Sequence, residues 1–172
     1  MSINKFNVRV YGLLVNEQNQ LLVSDEAFVN GNKATKFPGG GLEIGEGPAE
    51  GLLREFIEET GVPVQIVAHF YTTHFYVPNM FEIIPTSQVI SIYYVVQCPQ
   101  WQQIPASNIP FNFTHIPGQE AEAFRWVPLD TLAHETTITL PIDKVVVNLL
   151  LQQYQMHGPH FYKHLPPMSN GN

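Results

Sequence analysis

The segment Pro48–Thr60 constrains this chain more than any other. Ala49, Leu52, Leu53, Phe56 and Ile57 recur at i, i+3, i+4, i+7 and i+8, one apolar stripe on a helix. Pro48 suits the first helical position behind Gly47 as cap, and Gly61 suits a left-handed stop. Gly51 counts against the helix by ~1 kcal/mol relative to alanine. A helix with such a stripe needs a second layer to cover it.

The other face of this helix carries Arg54, Glu55, Glu58 and Glu59. Glu55 stands three and four residues before Glu58 and Glu59, so three carboxylates crowd one side. Each like-charged pair costs a few tenths of a kcal/mol. Glu58 and Glu59 also fall in the last turn, where the helix dipole disfavours negative charge by ~0.3–1 kcal/mol each. One reading is a solvated acidic face, since charge runs usually are just that. The other is a site for a hard divalent cation, because Mg²⁺ and Mn²⁺ prefer oxygen ligands. Arg54 can pair with Glu58 one turn on and leave the other carboxylates free. The flanking residues favour the cation: Gly39-Gly40-Gly41 lets backbone approach a ligand closely, and Glu46 sits just before the helix.

Composition narrows the partners. The 172 residues suit one domain, and 44% hydrophobic against 13% charged residues suits a buried core. The net charge is −7 with only eight Lys and Arg, so no basic stripe exists and no nucleic acid is expected as a partner. An acidic chain repels phosphates unless a bound cation reverses the local field. Cys98 is the only cysteine and reads as a buried thiol. No apolar run approaches ~18 residues and no signal-like stretch opens the chain, so no membrane is expected and the default location is the cytoplasm.

Along the chain, Phe6–Val15 and Leu21–Ser24 read as strands joined by the polar turn Asn16–Asn19. Phe28–Lys36 reads as a loop. Val64–Val77 and Gln88–Gln97 read as long strands, separated by a loop around Pro78 and Pro85. Pro99–Gly118 reads as an extended loop or insertion, Ala123–Val127 as a short strand, and Pro128–Ala133 as a helical turn. Ile142–Gln155 reads as a second helix, apolar on Val145, Val146, Leu149 and Leu150. The order predicts a mixed β-sheet with helices packed on it. The domain is expected over 1–155, followed by an irregular arm over 156–172 that docks on its own domain, docks on a partner subunit, or stays disordered.

Gly40, then Glu46, then Arg54-Glu55-Phe56-Ile57-Glu58-Glu59-Thr60-Gly61-Val62 resembles the Nudix box. That signature reads glycine, five residues, glutamate, seven residues, then Arg-Glu-apolar-any-Glu-Glu-any-Gly-apolar, and every constrained position is filled. The likeness extends loosely through Phe37-Pro38 upstream and Glu120–Leu132 downstream, where Phe124–Asp130 looks like the family's closing strand and turn.

The resemblance implies an α/β fold, a Nudix-type α/β/α sandwich in which the box forms loop, helix and loop. It implies metal-dependent hydrolysis of a diphosphate bond in a nucleoside diphosphate linked to another group, with Mg²⁺ or Mn²⁺ as cofactor. Carried over by position, Glu55, Glu58 and Glu59 become carboxylate ligands, joined by the carbonyl of Gly40. Arg54 then orients a catalytic glutamate and Glu46 holds the loop. The family's general base is a glutamate of the box, here Glu55 or Glu58, or one from a later loop; Glu120 is favoured as a further ligand or general base, with Glu122 close behind it.

Arg9 and Lys36 are the first choices for phosphate-pairing cations, ahead of Lys33 and Arg125. Arg9 shares a strand face with Asn7 and Tyr11, though a surface strand arginine fits equally. His69, Tyr71, His74 and Tyr76 offer rings for a base, but packing is their commoner role. Pro78, sixteen residues after Val62, resembles the subset acting on ADP-ribose. A nucleotide-binding sensor on the same fold, without turnover, is the competing reading; the complete box favours the enzyme. The expected partner is a small nucleotide, and a homodimer is compatible with the resemblance.

Overall fold

The computed structural model describes residues 3–79, 82, 86–114, 116 and 118–168. Its strands are β1 (Lys5–Leu14), β2 (Gln20–Ala27), β3 (Lys33–Lys36), β4 (Gln65–Thr72), β5 (Ser87–Gln97), β6 (Ala106–Ser107) and β7 (Ala121–Pro128). Its helices are α1 (Pro48–Thr60) and α2 (Pro141–His157).

The strands form two mixed sheets where the sequence suggested one. The first runs β1-β5-β4, with β1 and β5 parallel and β4 antiparallel to β5. The second runs β3-β2-β7-β6, in which only β6 and β7 are parallel. Alternation along the strands feeds two cores. Val10, Leu14, Leu22, Tyr94, Val96, Phe124 and Trp126 face Leu52 and Phe56 of α1. Tyr11, Leu13, Leu21, Val23, Tyr93, Val95 and Val127 face Ile142, Val146, Val147 and Leu150 of α2. The sheets therefore lie between the two helices, the α/β/α sandwich expected from the box.

Helix α1 has the predicted limits. Gly47 is its N-cap, donating its N–H to Glu50 Oε2 at 2.8 Å, and Gly61 closes it at φ 72°. The buried stripe is narrower than predicted: Leu52 and Phe56 are fully covered, while Leu53 and Ile57 are 36% and 53% exposed. Helix α2 is one residue longer at its start and two at its end than the sequence suggested.

Several boundaries differ for identifiable reasons. Lys33–Lys36, expected as loop, is strand β3, paired with β2 and pinned by Thr35 Oγ1 donating to buried Asp25 Oδ1 at 2.6 Å. β4 stops at Thr72 rather than Val77, after two irregularities break its register with β5. The insertion Pro99–Gly118 contains a 3₁₀ turn at Trp101–Gln103 and the short β6. Pro85 falls outside the described residues, as do 80, 81, 83 and 84 of the same loop.

Beyond α2 the chain continues as a 3₁₀ stretch, Gly158–His164, that buries Phe161 in the α2 core at 1% exposure. Pro167 bridges to Ala68 of β4, the strand at the open end of its sheet. The described part of the arm thus lies on its own domain; 169–172 fall outside the described residues. Among the described residues no helix is long and apolar enough to cross a membrane.

Candidate active site

The glycine run is laid directly along β1. Gly12 N–H donates to Pro38 O, Val10 N–H to Gly40 O, and Leu42 N–H to Val8 O, each at 2.9 Å. This fixes the backbone of 38–42 between β1 and the polar face of α1. A Cβ built on Gly40 falls 2.5 Å from the carboxyl carbon and both oxygens of Glu55. Only glycine leaves room for that carboxylate.

Arg54 organises the acidic face. Its Nε and Nη2 hold Glu46 Oε2 and Oε1 at 3.0 and 2.7 Å, a bidentate pair. Nη1 reaches Glu55 Oε1 and Glu58 Oε2, both at 3.1 Å, and Nη2 also donates to Gly41 O at 3.1 Å. The Arg54 hydrogen bonds hold the Glu46 carboxyl down at about 2. Glu46 Oε1 accepts the Glu43 N–H at 2.8 Å as well, so the loop before the helix is tied to the helix itself. The Gly51 that counted against α1 has a positive reason: a Cβ there would meet Glu46 Oε1 and Leu42 Cδ1 at 2.8 Å.

Beside this face opens a cleft of about 610 Å³, whose walls include Asn7, Arg9, Glu26, Lys36, Gly39, Gly40, Glu55, Glu59, Glu120 and Glu122. Glu59 Oε2 accepts the Gly39 N–H at 3.0 Å. Burial, together with the charges of Glu122 and Glu26, pushes the Glu59 carboxyl up to about 8 against that hydrogen bond and Lys36. Glu122 is also raised, by burial and the nearby Glu26 and Glu55 charges, although Ser24 Oγ donates to its Oε1 at 2.6 Å. The cleft thus concentrates carboxylates with too little positive charge to match them.

Its cations come from the strands. Lys36 is 4% exposed and pairs with Glu26 Oε1 at 2.6 Å. Arg9 Nε donates to Tyr11 Oη at 2.5 Å, and Asn7 lines the cleft two residues before it, as strand alternation requires.

The structure brings Gly40, Glu55, Glu59, Glu120, Arg9 and Lys36 to one cleft. Glu58 stands apart: its side chain is 58% exposed, rests on Arg54, and does not line the cleft. Among the described residues no three acidic, His or Cys side chains already converge on one point. In their present positions Arg54 draws Glu55 and Glu58 to itself while Gly39 holds Glu59.

Arg125 is a correction. It is 3% exposed, bonded to Asp25, Glu135 and Thr137, and does not line the cleft. Lys33 lies over Phe111 and Phe113, 5.3 and 5.7 Å from their centroids. His69, Tyr71, His74 and Tyr76 do not line the cleft. Glu26 was missed by the sequence reading. It sits opposite Glu122 in the β2–β7 register. Its signal was an acidic residue closing an apolar strand, but the pairing that makes it matter is not local.

The sequence matches the NUDIX domain over residues 5–149. Solved structures with the same fold include a NUDIX hydrolase from Nitrosomonas europaea, 16% identical, with TM-score 0.60 over 85% of this chain and 88% of that one. A MutT protein from Methanosarcina mazei Go1 is 19% identical, with TM-score 0.59 over 87% and 96%. A UDP-X diphosphatase is 18% identical, with TM-score 0.57 over 91% of this chain and 66% of that one. Comparison with curated proteins gave no match.

The chain belongs to the Nudix family. It is accordingly a pyrophosphohydrolase, a class that acts on small nucleoside diphosphate derivatives and generally uses divalent metal ions.

Proposed function

We propose that the protein hydrolyses the diphosphate bond of a nucleoside diphosphate linked to a second group, with ADP-ribose or a nucleotide sugar as the preferred substrate, in the presence of Mg²⁺ or Mn²⁺. The carrying observation is the cleft's charge: Glu55, Glu59 and Glu122 with Arg9 and Lys36 around one opening. Its volume falls in the usual range for small-molecule sites.

The donor set fits a hard divalent ion. All candidate donors are oxygens, and burial beside the Glu122 and Glu26 carboxylates raises the Glu59 carboxyl to about 8, an environment a bound cation would relieve. Glu55 and Glu59, on either side of the glycine run, would hold the ion once Arg54 and Gly39 release them, with Glu120 and the second lone pair of the Gly40 carbonyl as further donors and Glu58 only if it swings off Arg54. When bound, a divalent ion neutralises phosphate oxygens and lowers the pKa of a coordinated water.

The chain's own groups do the rest. Arg9 and Lys36 pair with the substrate's phosphate oxygens and orient the diphosphate. Arg54 keeps Glu55 in place against Gly40. Of the two glutamates before Trp126, Glu122 is the better general base, because burial raises its carboxyl toward the operating pH. Glu120 remains the alternative base at the same rim. Water adds across the P–O–P bridge and two phosphate monoesters leave; from ADP-ribose these are AMP and ribose 5-phosphate.

A neighbouring fold that carries the name UDP-X diphosphatase supports a diphosphate linked to a second group. The test is product analysis on ADP-ribose, nucleotide sugars, dinucleoside polyphosphates and oxidised triphosphates with each metal. Fastest turnover of the first two supports the proposal. Preference for a triphosphate sinks the substrate assignment, and tight nucleotide binding with no turnover anywhere points to a sensor.

A further inference from the structure

Behind the cleft, a line of contacts runs from Arg9 into the α2 side of the core. Arg9 Nε donates to Tyr11 Oη, and the guanidinium carbon lies 5.6 Å from the centroid of the same ring. Lys36 Nζ lies 5.9 Å from that centroid. Tyr11 stacks on Tyr93 with centroids 5.3 Å apart and planes 28° apart. Tyr93 Oη donates to Asp143 Oδ1 at 2.6 Å, in the first turn of α2. All three of Tyr11, Tyr93 and Asp143 are buried.

Burying a carboxylate is costly unless it is paired and hydrogen-bonded. An acidic residue in a first helical turn is favourable when exposed, so helix stability alone gives Asp143 no reason to point inward. Its surroundings give one. A cavity of about 30 Å³, bordered by Tyr11, Ser91, Tyr93 and Asp143, lies beside the ring stack. Phe37 and Tyr71 pack on Tyr93 with centroids 5.9 and 6.2 Å away, and the cavity leaves the stack less tightly held on its remaining side. The hydrogen bond to Asp143 holds Tyr93 there, and Tyr93 passes the constraint to Tyr11.

We propose that Asp143 is a positioning residue: through Tyr93 and Tyr11 it fixes where the Arg9 guanidinium meets the phosphates of a bound nucleotide. Asp143 does not touch substrate itself. The inference rests on the reading of Arg9 as a phosphate-binding group. The same core cations support it, since Lys36 and Arg9 pull the Asp143 carboxyl back from the rise that burial imposes.

The experiment compares wild type with Asp143→Ala, Asp143→Asn and Tyr93→Phe. It measures kcat and KM on the best substrate at saturating Mg²⁺, ADP affinity by calorimetry, and thermal unfolding. Asp143→Ala and Tyr93→Phe are expected to raise KM and weaken ADP by about 5–10-fold with kcat nearly unchanged, the scale of one hydrogen bond's worth of alignment. Asp143→Asn keeps an oxygen acceptor for Tyr93 and is expected to restore wild-type KM. Tyr93→Phe keeps the ring stack and carries the test if Asp143→Ala does not fold. Folded variants with wild-type KM and ADP affinity overturn the proposal, as does an Asn variant no better than the Ala one. A wild-type protein that turns over nothing refutes the catalytic reading, while the ADP measurements still decide the strut.

Discussion

The Glu55 carboxylate lies directly against the α-carbon of Gly40, in the space a methyl group would need. Gly40→Ala therefore has to push Glu55 away from the cleft or pull the loop off β1. We expect turnover to fall by ~100-fold, the usual cost of an ångström-scale misplacement at a reacting centre, with little change in the far-ultraviolet circular dichroism. Near-normal turnover in the alanine variant would remove Glu55 from the ion-binding set.

Glu59→Gln should lower turnover by orders of magnitude while the protein stays folded. It should also change how the metal-free protein responds to pH. The folded carboxyl titrates at about 8 against an ordinary 4.5, so between those values the folded state binds more protons than the unfolded one. Stability from this group is therefore fully present at acidic pH and falls as pH rises through 8. In urea unfolding with a chelator present, wild type minus Glu59→Gln should show this downward slope between pH 5 and 8. A flat difference would mean that the carboxyl is not buried as described.

Removal of divalent ions with a chelator should abolish hydrolysis, and re-addition of Mg²⁺ or Mn²⁺ should restore it. Restoration by one ion alone would identify the working metal. Activity that survives chelation would exclude the ion-dependent reading of the acidic cleft.

Arg54→Lys keeps a charge but loses the planar fork that spans Glu46, Glu55 and Glu58. We expect a loss of ~10–100-fold in metal affinity or activity, as for other residues that orient ligands, and only a small drop in thermal midpoint. Steady-state kinetics across a metal titration, beside a melting curve, separates the two.

Much of this was legible because it is local. The box fixes its own loop, its cap at Gly47, its stop at Gly61 and the Arg54–Glu58 pair within a few residues of each other. The α/β/α order follows from the same segment. What the sequence hid depends on pairing across distance. Glu26 matters through its position opposite Glu122, and β3 exists because Thr35 meets Asp25. Arg125 looked available for phosphate until the fold closed Asp25 and Glu135 around it. Glu58 obeys the helical spacing that gathers the glutamates, yet Arg54 holds it on the outer side of the helix. Spacing gives the face a residue occupies, and its neighbours decide where its charge points.

The contact between Pro167 and Ala68 has a meaning for how molecules of this protein meet one another. Exposed strand borders invite other chains to add themselves by backbone pairing, and proline, having no N–H, ends such a series. Touching that border at Pro167 and anchored through the buried Phe161 ring, residues 158–168 are expected to act as a stopper. A version cut back to Gly158 would keep its glutamates but present a bare strand beside an empty greasy socket, and would be expected to clump on storage.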